Sequence, residues 1–175
     1  GGQGKQFFDG EYHPYPHDFG PLILDPNTPV DVCVRVVRGG RPGDMMFAAF
    51  NVVSQRFVEV LQGCQAAGYS AHPIRVVLAH RGDVECGGYF LIKVQGRAVL
   101  DAHQSGLRYL ASGTPSGWDR LHIDEKTWDG SDVFAVGTGE NTFGVGMHVV
   151  EHVADALRRA KLRNVILTRN DECSL

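Results

Sequence analysis

Apolar residues recur at two different spacings along the chain, and each spacing predicts a different kind of element. Residues 32–37 are largely apolar on both faces of an extended chain, which predicts a buried strand. Farther along, apolar positions three or four residues apart predict an amphipathic helix. Asn51 or Ser54 can cap the beginning of this helix, and Gly68 suits the left-handed residue at its end. Its apolar stripe consists of Phe50, Val53, Phe57, Val60, Leu61 and Cys64.

Further apolar tracts predict more strands and a second helix. Pro73 and the turn at 81–83 precede the first two of these strands. The strand tracts are 74–78, 88–94, 133–136, 143–147 and 165–167. After Met147 a second amphipathic stripe consists of Val150, Val153, Leu157 and Ala160. We therefore expect an α+β fold, with mixed or antiparallel sheets packed by two main amphipathic helices.

The two predicted helices share one apolar spacing. The pattern Val53-x-x-x-Phe57-x-x-x-Leu61 returns as Val149-x-x-x-Val153-x-x-x-Leu157, and a strand tract follows each. Two similar helix–strand halves would produce this pattern, and so would two unrelated amphipathic helices. Residues 1–30 differ from the rest because proline and aromatic residues are frequent there, and proline prevents long regular structure. We expect an N-terminal arm at 1–30 and a single α+β domain at 31–175.

Composition and charge narrow the possible functions. Hydrophobic residues make up 43% of the chain and charged residues 21%, values that exclude wholesale disorder. The net charge of −3 argues against direct nucleic-acid binding, which requires a clustered basic surface. No apolar run approaches the roughly 20 residues of a membrane span, so no membrane partner is expected. The four cysteines form no C-x-x-C pair, and we expect reduced thiols and a cytoplasmic location.

The sequence His148-Val149-Val150-Glu151-His152 matches the H-x-x-E-H pattern of zinc hydrolases. On a helix, His148 and His152 would share one face and bind zinc, with Glu151 as the general base. Such a site needs a third ligand, and the last acid in the chain is Glu172. The alternative is a polar stripe that faces solvent. We predict no catalytic residue, no metal and no cofactor, and keep the zinc site as the alternative.

One segment carries more negative charge than the whole chain. Residues 119–140 contain six acidic residues and two basic ones, and Trp118 and Trp128 are expected to anchor the segment. A solvated loop face is one interpretation. The other is a docking surface for a basic protein, since complementary charge speeds encounter and sets specificity. The candidate partner-binding residues are Trp118, Asp119, Asp124, Glu125, Trp128, Asp129, Asp132 and Glu140.

Four stretches, at 47–61, 88–92, 120–124 and 149–167, follow an order that is known from one protein family. They include Val53-Ser54-Gln55-Arg56 before an apolar tract and Gly88-Tyr89-Phe90-Leu91-Ile92. With these stretches, residues 32–168 resemble a family of bacterial immunity proteins, the eleventh of the polymorphic-toxin immunity families.

The chain departs from the pattern of this family at three places. Gly139-Glu140 stands where the family has a Trp-Glu pair, and Val150-Glu151 stands where members usually show Val-Ser-Glu. The sequence Lys161-Leu162-Arg163-Asn164 replaces a more usual Gly-Leu-Thr-Gly. Because of these differences we transfer no partner-binding residue from the family.

The resemblance implies an α+β domain without catalytic activity that binds a cognate toxin encoded nearby and neutralises it stoichiometrically. Many toxins of this kind are nucleases with basic clefts, and such a toxin would suit the acidic segment. Two other functions stay open. One is a zinc-dependent hydrolase that uses the H-x-x-E-H sequence, and the other is an accessory module that loads cargo in a toxin system.

Overall fold

The computed structural model describes residues 33–36, 42–47, 51–113, 115–138 and 145–169. Within these residues the chain forms eleven strands and two α-helices, which confirms the predicted α+β class. No helix in the described ranges is long and apolar enough to cross a membrane. The predicted arm at 1–30 lies outside the described residues.

The described chain divides into two compact units, and the expectation of a single domain over 31–175 stays a prediction. The first unit holds the described residues up to Glu59 together with Ser70–Lys93 and Leu162–Asn164. The second unit holds Val60–Tyr69, Val94–Lys161 and the described residues from Val165 onward. Each unit has its own sheet and its own cluster of buried apolar side chains.

The first unit is built on a five-stranded sheet. Its strands are β1 (Cys33–Val36), β2 (Met45–Phe47), β3 (Asn51–Ser54), β4 (Tyr69–Leu78) and β5 (Val84–Val94), in the spatial order β1-β4-β5-β3-β2. β1 runs parallel to β4, whereas β3 is antiparallel to both β2 and β5. Branched side chains pack well on a pleated surface. The buried cluster of this unit consists of Val52, Ile74, Val76 and Leu91.

Helix α1 (Gln55–Gly63) begins directly after β3. The Ser54 hydroxyl accepts a hydrogen bond from the Phe57 N–H at 3.3 Å, which confirms Ser54 as the cap, whereas Asn51 lies within β3. The prediction that Gly68 ends the helix is wrong. The left-handed residue there is Gln65, at φ 55°, and the next N–H bonds back to the Leu61 carbonyl at 2.9 Å.

The turn at 161–164 has two left-handed residues, neither of which is glycine. Lys161 has φ 50° and caps α2 (Glu151–Ala160), and Asn164 has φ 62°. Between them, the Arg163 N–H donates to the Asp44 carboxylate at 2.7 Å, and the Asp44 N–H donates to the Arg163 carbonyl at 2.9 Å. This two-way bond holds the 162–164 segment beside the loop that precedes β2.

The second unit contains a four-stranded sheet and a small two-stranded one. In chain order its strands are β6 (Gly96–Leu100), β7 (Arg108–Tyr109), β8 (Pro115–Gly117), β9 (Ile123–Asp124), β10 (Val133–Gly137) and β11 (Val145–Val149). The larger sheet has the order β11-β10-β6-β9, with β6 and β10 parallel and the other pairs antiparallel. The buried cluster of this unit consists of Ala98, Leu100, Leu121, Phe134 and Val136.

Both predicted halves contain the helix, but only the first contains the predicted strand after it. Phe57 and Val153 occupy the third position of α1 and α2, and both are fully buried. After α1 the chain enters β4, but residues 165–169 after α2 form no strand. Ile166 is 90% exposed, so the apolar tract at 165–167 lacks the neighbouring strand that would cover and pair with it.

Candidate functional site

The second unit has an open cleft of about 860 Å³. Its lining comes from the 3-10 helix Glu125–Thr127 and the residues around it, and from β10 and β11. Residues of α2 and the segment 166–169 complete it. This lining contains both apolar and charged side chains. The cleft therefore offers both an apolar surface and hydrogen-bonding groups to a bound molecule.

Three aromatic rings follow one another in the cleft. The ring centroids of Trp128 and Phe134 are 6.0 Å apart at an interplanar angle of 51°. Phe134 stacks on His148 at 5.7 Å and 24°, because the two residues are directly paired on the antiparallel strands β10 and β11. Phe134 is buried, whereas Trp128 is 39% exposed. The rings thus form a platform that extends from the core of the unit to its surface.

The indole of Trp128 is held in place by its own hydrogen bond. Its Nε1–H donates to the Ser131 carbonyl at 3.0 Å. The donor of this ring is therefore used within the protein, and the part of Trp128 that remains available to another molecule is its aromatic surface.

Charged groups surround the platform in two arrangements. On α2, Arg158 donates to Asp155 at 2.7 Å and to Glu151 at 3.1 Å, and these two hydrogen bonds raise the pKa of the guanidinium. On the 3-10 helix, Glu125 is exposed and has no ion pair within the described ranges. The guanidinium on α2 is thus balanced by two carboxylates, while Glu125 offers its charge to solvent.

The other carboxylates of the acidic segment mostly bind the backbone of the protein itself. Asp124 accepts the Lys126 N–H at 3.1 Å and caps the 3-10 helix. Asp129 accepts the Arg97 N–H at 2.9 Å, and Asp132 accepts the Ala67 N–H at 2.8 Å. These three side chains stabilise the loops. They would contribute to the binding of a partner only through long-range electrostatic attraction.

The hydrogen bonds that Asp129 accepts lower the pKa of its carboxyl, and the residue is exposed. Burial by itself would raise the pKa of this carboxyl, but the hydrogen bonds from the backbone and hydroxyl of Ser131 and from the Arg97 N–H outweigh it, so the pKa is lowered.

The two predicted anchors lie in different surroundings. Trp118 packs against the buried cluster of the second unit, and its indole Nε1 is buried without a hydrogen-bond partner among the described residues. Asp119, next to it, is exposed and lies 3.8 Å from the Arg108 guanidinium. Of the eight predicted partner-binding residues, Glu125 and Trp128 line the cleft. Glu140 lies outside the described residues.

Phe134 was not among the predicted site residues, and His148 was considered only as a zinc ligand, not as part of an aromatic platform. Phe134 occurs in the tract 133–136 that was predicted as a strand, whereas His148 follows the tract 143–147 and was predicted to lie on a helix. The signal that could have found them is the antiparallel pairing of two neighbouring strands, which places the two rings opposite each other.

The H-x-x-E-H sequence does not form a helical zinc site. His148 lies on β11, and α2 begins only at Glu151, so His148 and His152 do not share a helix face. His148 stacks on Phe134, and His152 Nε2 lies 3.7 Å from the Asp132 carboxylate. Across the part of the chain that the structure describes, no three His, Cys, Asp or Glu side chains are grouped to hold a metal.

Comparison of the chain with models of known protein families gives no match, and comparison with curated proteins gives none.

Proposed function

We propose that this protein is an immunity protein that acts in the cytoplasm, where it binds a cognate bacterial toxin and neutralises it by stoichiometric contact. The observation on which we base this is the backbone at 161–164. Lys161 and Asn164 are both left-handed, and they stand where the resembling family usually has glycine. Glycine adopts this conformation at the lowest cost, so the family pattern fits the turn that this chain makes.

The beginning of α2 supports the same family assignment. Val150 is the N-cap residue of this helix and makes no side-chain capping bond. The family pattern usually has serine immediately before the glutamate, which is the position of this cap. Ser54 performs that role for α1, where serine caps in the expected way.

The cleft of the second unit supports binding to another protein. Protein interfaces concentrate their energy in a few aromatic and arginine residues seated in partly buried pockets. Trp128, whose ring is held in place and partly exposed beside the buried Phe134, has the features of such an anchor. The surrounding loops add negative charge that would attract a basic toxin.

Growth rescue tests this function directly. The toxin would be the product of the neighbouring reading frame, expressed in a bacterium with and without the present protein. We expect growth to be restored by the protein and not by an acidic protein of similar size expressed at the same level. Continued growth arrest, with the protein present in soluble form and able to bind the toxin, would contradict neutralisation and favour an accessory module that loads cargo.

A further inference from the structure

We propose that the cleft of the second unit binds an arginine side chain of the partner protein, with the guanidinium stacked on Trp128 and paired with Glu125. The inference rests on the proposed function, since the partner is taken to be the toxin. It adds the chemistry of the group that is recognised and the two residues that recognise it.

The aromatic surface of Trp128 is suited to a cation. Tryptophan has the strongest cation–π attraction of the aromatic side chains, and arginine is the cation found most often on it. The Nε1–H of Trp128 is already bonded to the Ser131 carbonyl, so a ligand meets the ring and not the donor. Phe134 packs against Trp128 at 6.0 Å and limits the orientations that the indole can take. The ring is therefore positioned before a partner arrives.

The carboxylate of Glu125 provides the matching negative charge. Glu125 lies three residues before Trp128, lines the same cleft and is exposed. Asp124 and Asp129, on either side of it in the chain, add to the negative potential. A carboxylate close to an aromatic surface favours guanidinium over ammonium, because the planar group stacks and donates two parallel hydrogen bonds.

The two arginines of the cleft make an acidic partner the competing possibility. Arg158 is bound by Asp155 and Glu151, so two carboxylates already balance its charge. Arg169 also lines the cleft. We expect the electrostatic potential over Trp128 to be set by Glu125 and its acidic neighbours. Binding of an acidic segment in place of arginine would overturn the inference.

Apolar side chains beside the platform indicate the remainder of the bound segment. Ile123 and Val150 are partly buried and line the cleft together with Ala154. The occupant we expect is a protein segment in which an arginine is flanked by aliphatic residues, so that the guanidinium reaches Trp128 while its neighbours cover this apolar surface.

Fluorescence of Trp128 tests the inference without any toxin. The full chain with the Trp118→Phe substitution contains Trp128 as its one tryptophan, and circular dichroism would check that it folds. The probes are three acetylated Leu-Xaa-Leu amides in which Xaa is arginine, citrulline or glutamate. Citrulline has nearly the shape of arginine but no charge, so it separates charge recognition from apolar contact.

We expect the arginine peptide to change the Trp128 emission at about fivefold lower concentration than the citrulline peptide, as a modest cation–π and charge-pair energy requires. Glu125→Gln should remove most of this difference. The matched change Glu85→Gln, at an exposed glutamate of the first unit, should leave it intact. Equal binding of arginine and citrulline peptides, tighter binding of the glutamate peptide, or an unchanged preference in Glu125→Gln would overturn the inference.

Growth rescue by the same variants separates this inference from the proposed function. If Glu125→Gln and Trp128→Leu rescue as well as the parent chain while folded and equally expressed, the protein neutralises the toxin through another surface. If the arginine peptide binds as expected but the parent chain gives no rescue, the cleft recognises arginine and the proposed function fails.

Discussion

Single residues in this chain adopt conformations that their side chains do not favour. A non-glycine residue in the left-handed region costs roughly 1–2 kcal/mol, because its Cβ approaches the following carbonyl oxygen. Lys161 is in this region at φ 50°, and its N–H closes the last turn of α2 on the Arg158 carbonyl at 3.1 Å. The charge and apolar spacing of this helix end gave no sign of the strain, because a lysine near a helix end is also typical of a favourable interaction with the helix dipole.

Replacing Lys161 by glycine should therefore stabilise the protein. We expect Lys161→Gly to raise the free energy of unfolding by about 1 kcal/mol, measured by urea denaturation. Arg159→Gly is the matched control in the interior of the same last turn, where glycine should lower stability by about 1 kcal/mol. Equal losses in both variants would mean that the turn at 161 is not left-handed.

His72 is a buried residue whose protonation affects stability. Burial, followed by the positive charge of Lys93, lowers the pKa of His72 from its ordinary value of 6.5, and Ser70 Oγ lies 3.0 Å from the ring. The folded protein favours the neutral ring, so below pH 6.5 the unfolded chain binds more protons than the folded one. The stability contributed by the neutral ring is full above this pH and is lost as the pH falls.

The pH dependence of the free energy of unfolding tests this role of His72. We expect the free energy of unfolding to fall below pH 6.5, with a slope from this group of at most about 1.4 kcal/mol per pH unit. His72→Gln should remove that part of the slope, whereas His103→Gln, at an exposed site, should keep it. Parallel pH profiles for the parent chain and His72→Gln would show that His72 does not titrate differently on folding.

The types of the elements could be predicted from the sequence better than their ends. The strands at β1, β4, β5 and β10 and both helices occur where apolar spacing places them, because burial of one face depends mainly on that spacing. Their ends depend on partners that spacing does not reveal. β4 begins before Pro73, which lies outside the stretch paired with β1, so the missing N–H breaks no bond of that pairing.

The position at which α2 begins is the element boundary that matters most for the functional interpretation. The apolar stripe continues from Met147 through Val150 into the helix, and it gives no sign that the first part belongs to β11. The antiparallel bonds to β10 keep residues 145–149 extended, with Val149 opposite Val133. This pairing moves His148 off the helix and onto the aromatic platform. A periodic pattern that crosses an element boundary therefore gave a misleading metal motif.

The two hydrogen bonds between Asp44 and Arg163 were not predicted, since the two residues lie 119 positions apart in the chain. Asp44 is 6% exposed and accepts the Ser54 hydroxyl and the Arg163 N–H, each at 2.7 Å. Burial by itself would raise the pKa of Asp44, but these hydrogen bonds and the charges of Arg56 and Arg163 outweigh it and lower the pKa from 3.8.

Loss of the Asp44 charge should weaken the contact between the loop before β2 and the 162–164 segment. We expect Asp44→Asn to lower the free energy of unfolding by about 2–3 kcal/mol near pH 7, because hydrogen bonds to an ionised group are strong and the site is buried. The matched control Asp119→Asn, at an exposed ion pair, should change it by less than about 0.5 kcal/mol.

The pH dependence of the free energy of unfolding tests the Asp44→Asn variant in a second way. The pKa of Asp44 is lowered on folding, so its contribution is present above pH 3.8 and is lost as the pH falls below that value. The difference between the parent chain and Asp44→Asn should therefore shrink in acid. A difference that stays constant down to pH 3 would contradict the role of the charge.

At the scale of the whole molecule, two features bear on function: the strand–helix framework and the open aromatic cleft in the second unit. The framework elements follow from apolar spacing. The cleft could be predicted only in part. Glu125 and Trp128 belong to the acidic segment that the sequence indicates, whereas the contact between Phe134 and His148 depends on the pairing of β10 with β11, which the sequence does not reveal. Trp118, which was expected to anchor the acidic segment, packs against the buried cluster of the second unit.

Titration of the purified toxin with this protein tests neutralisation by binding most directly. We predict that toxin activity falls linearly with added protein and reaches its minimum at one equivalent, since each bound molecule blocks one toxin. The endpoint should not change with incubation time. Loss of activity at far less than one equivalent, increasing with time, would reveal turnover, and full activity at excess protein would show that no neutralising complex forms; either result contradicts the account.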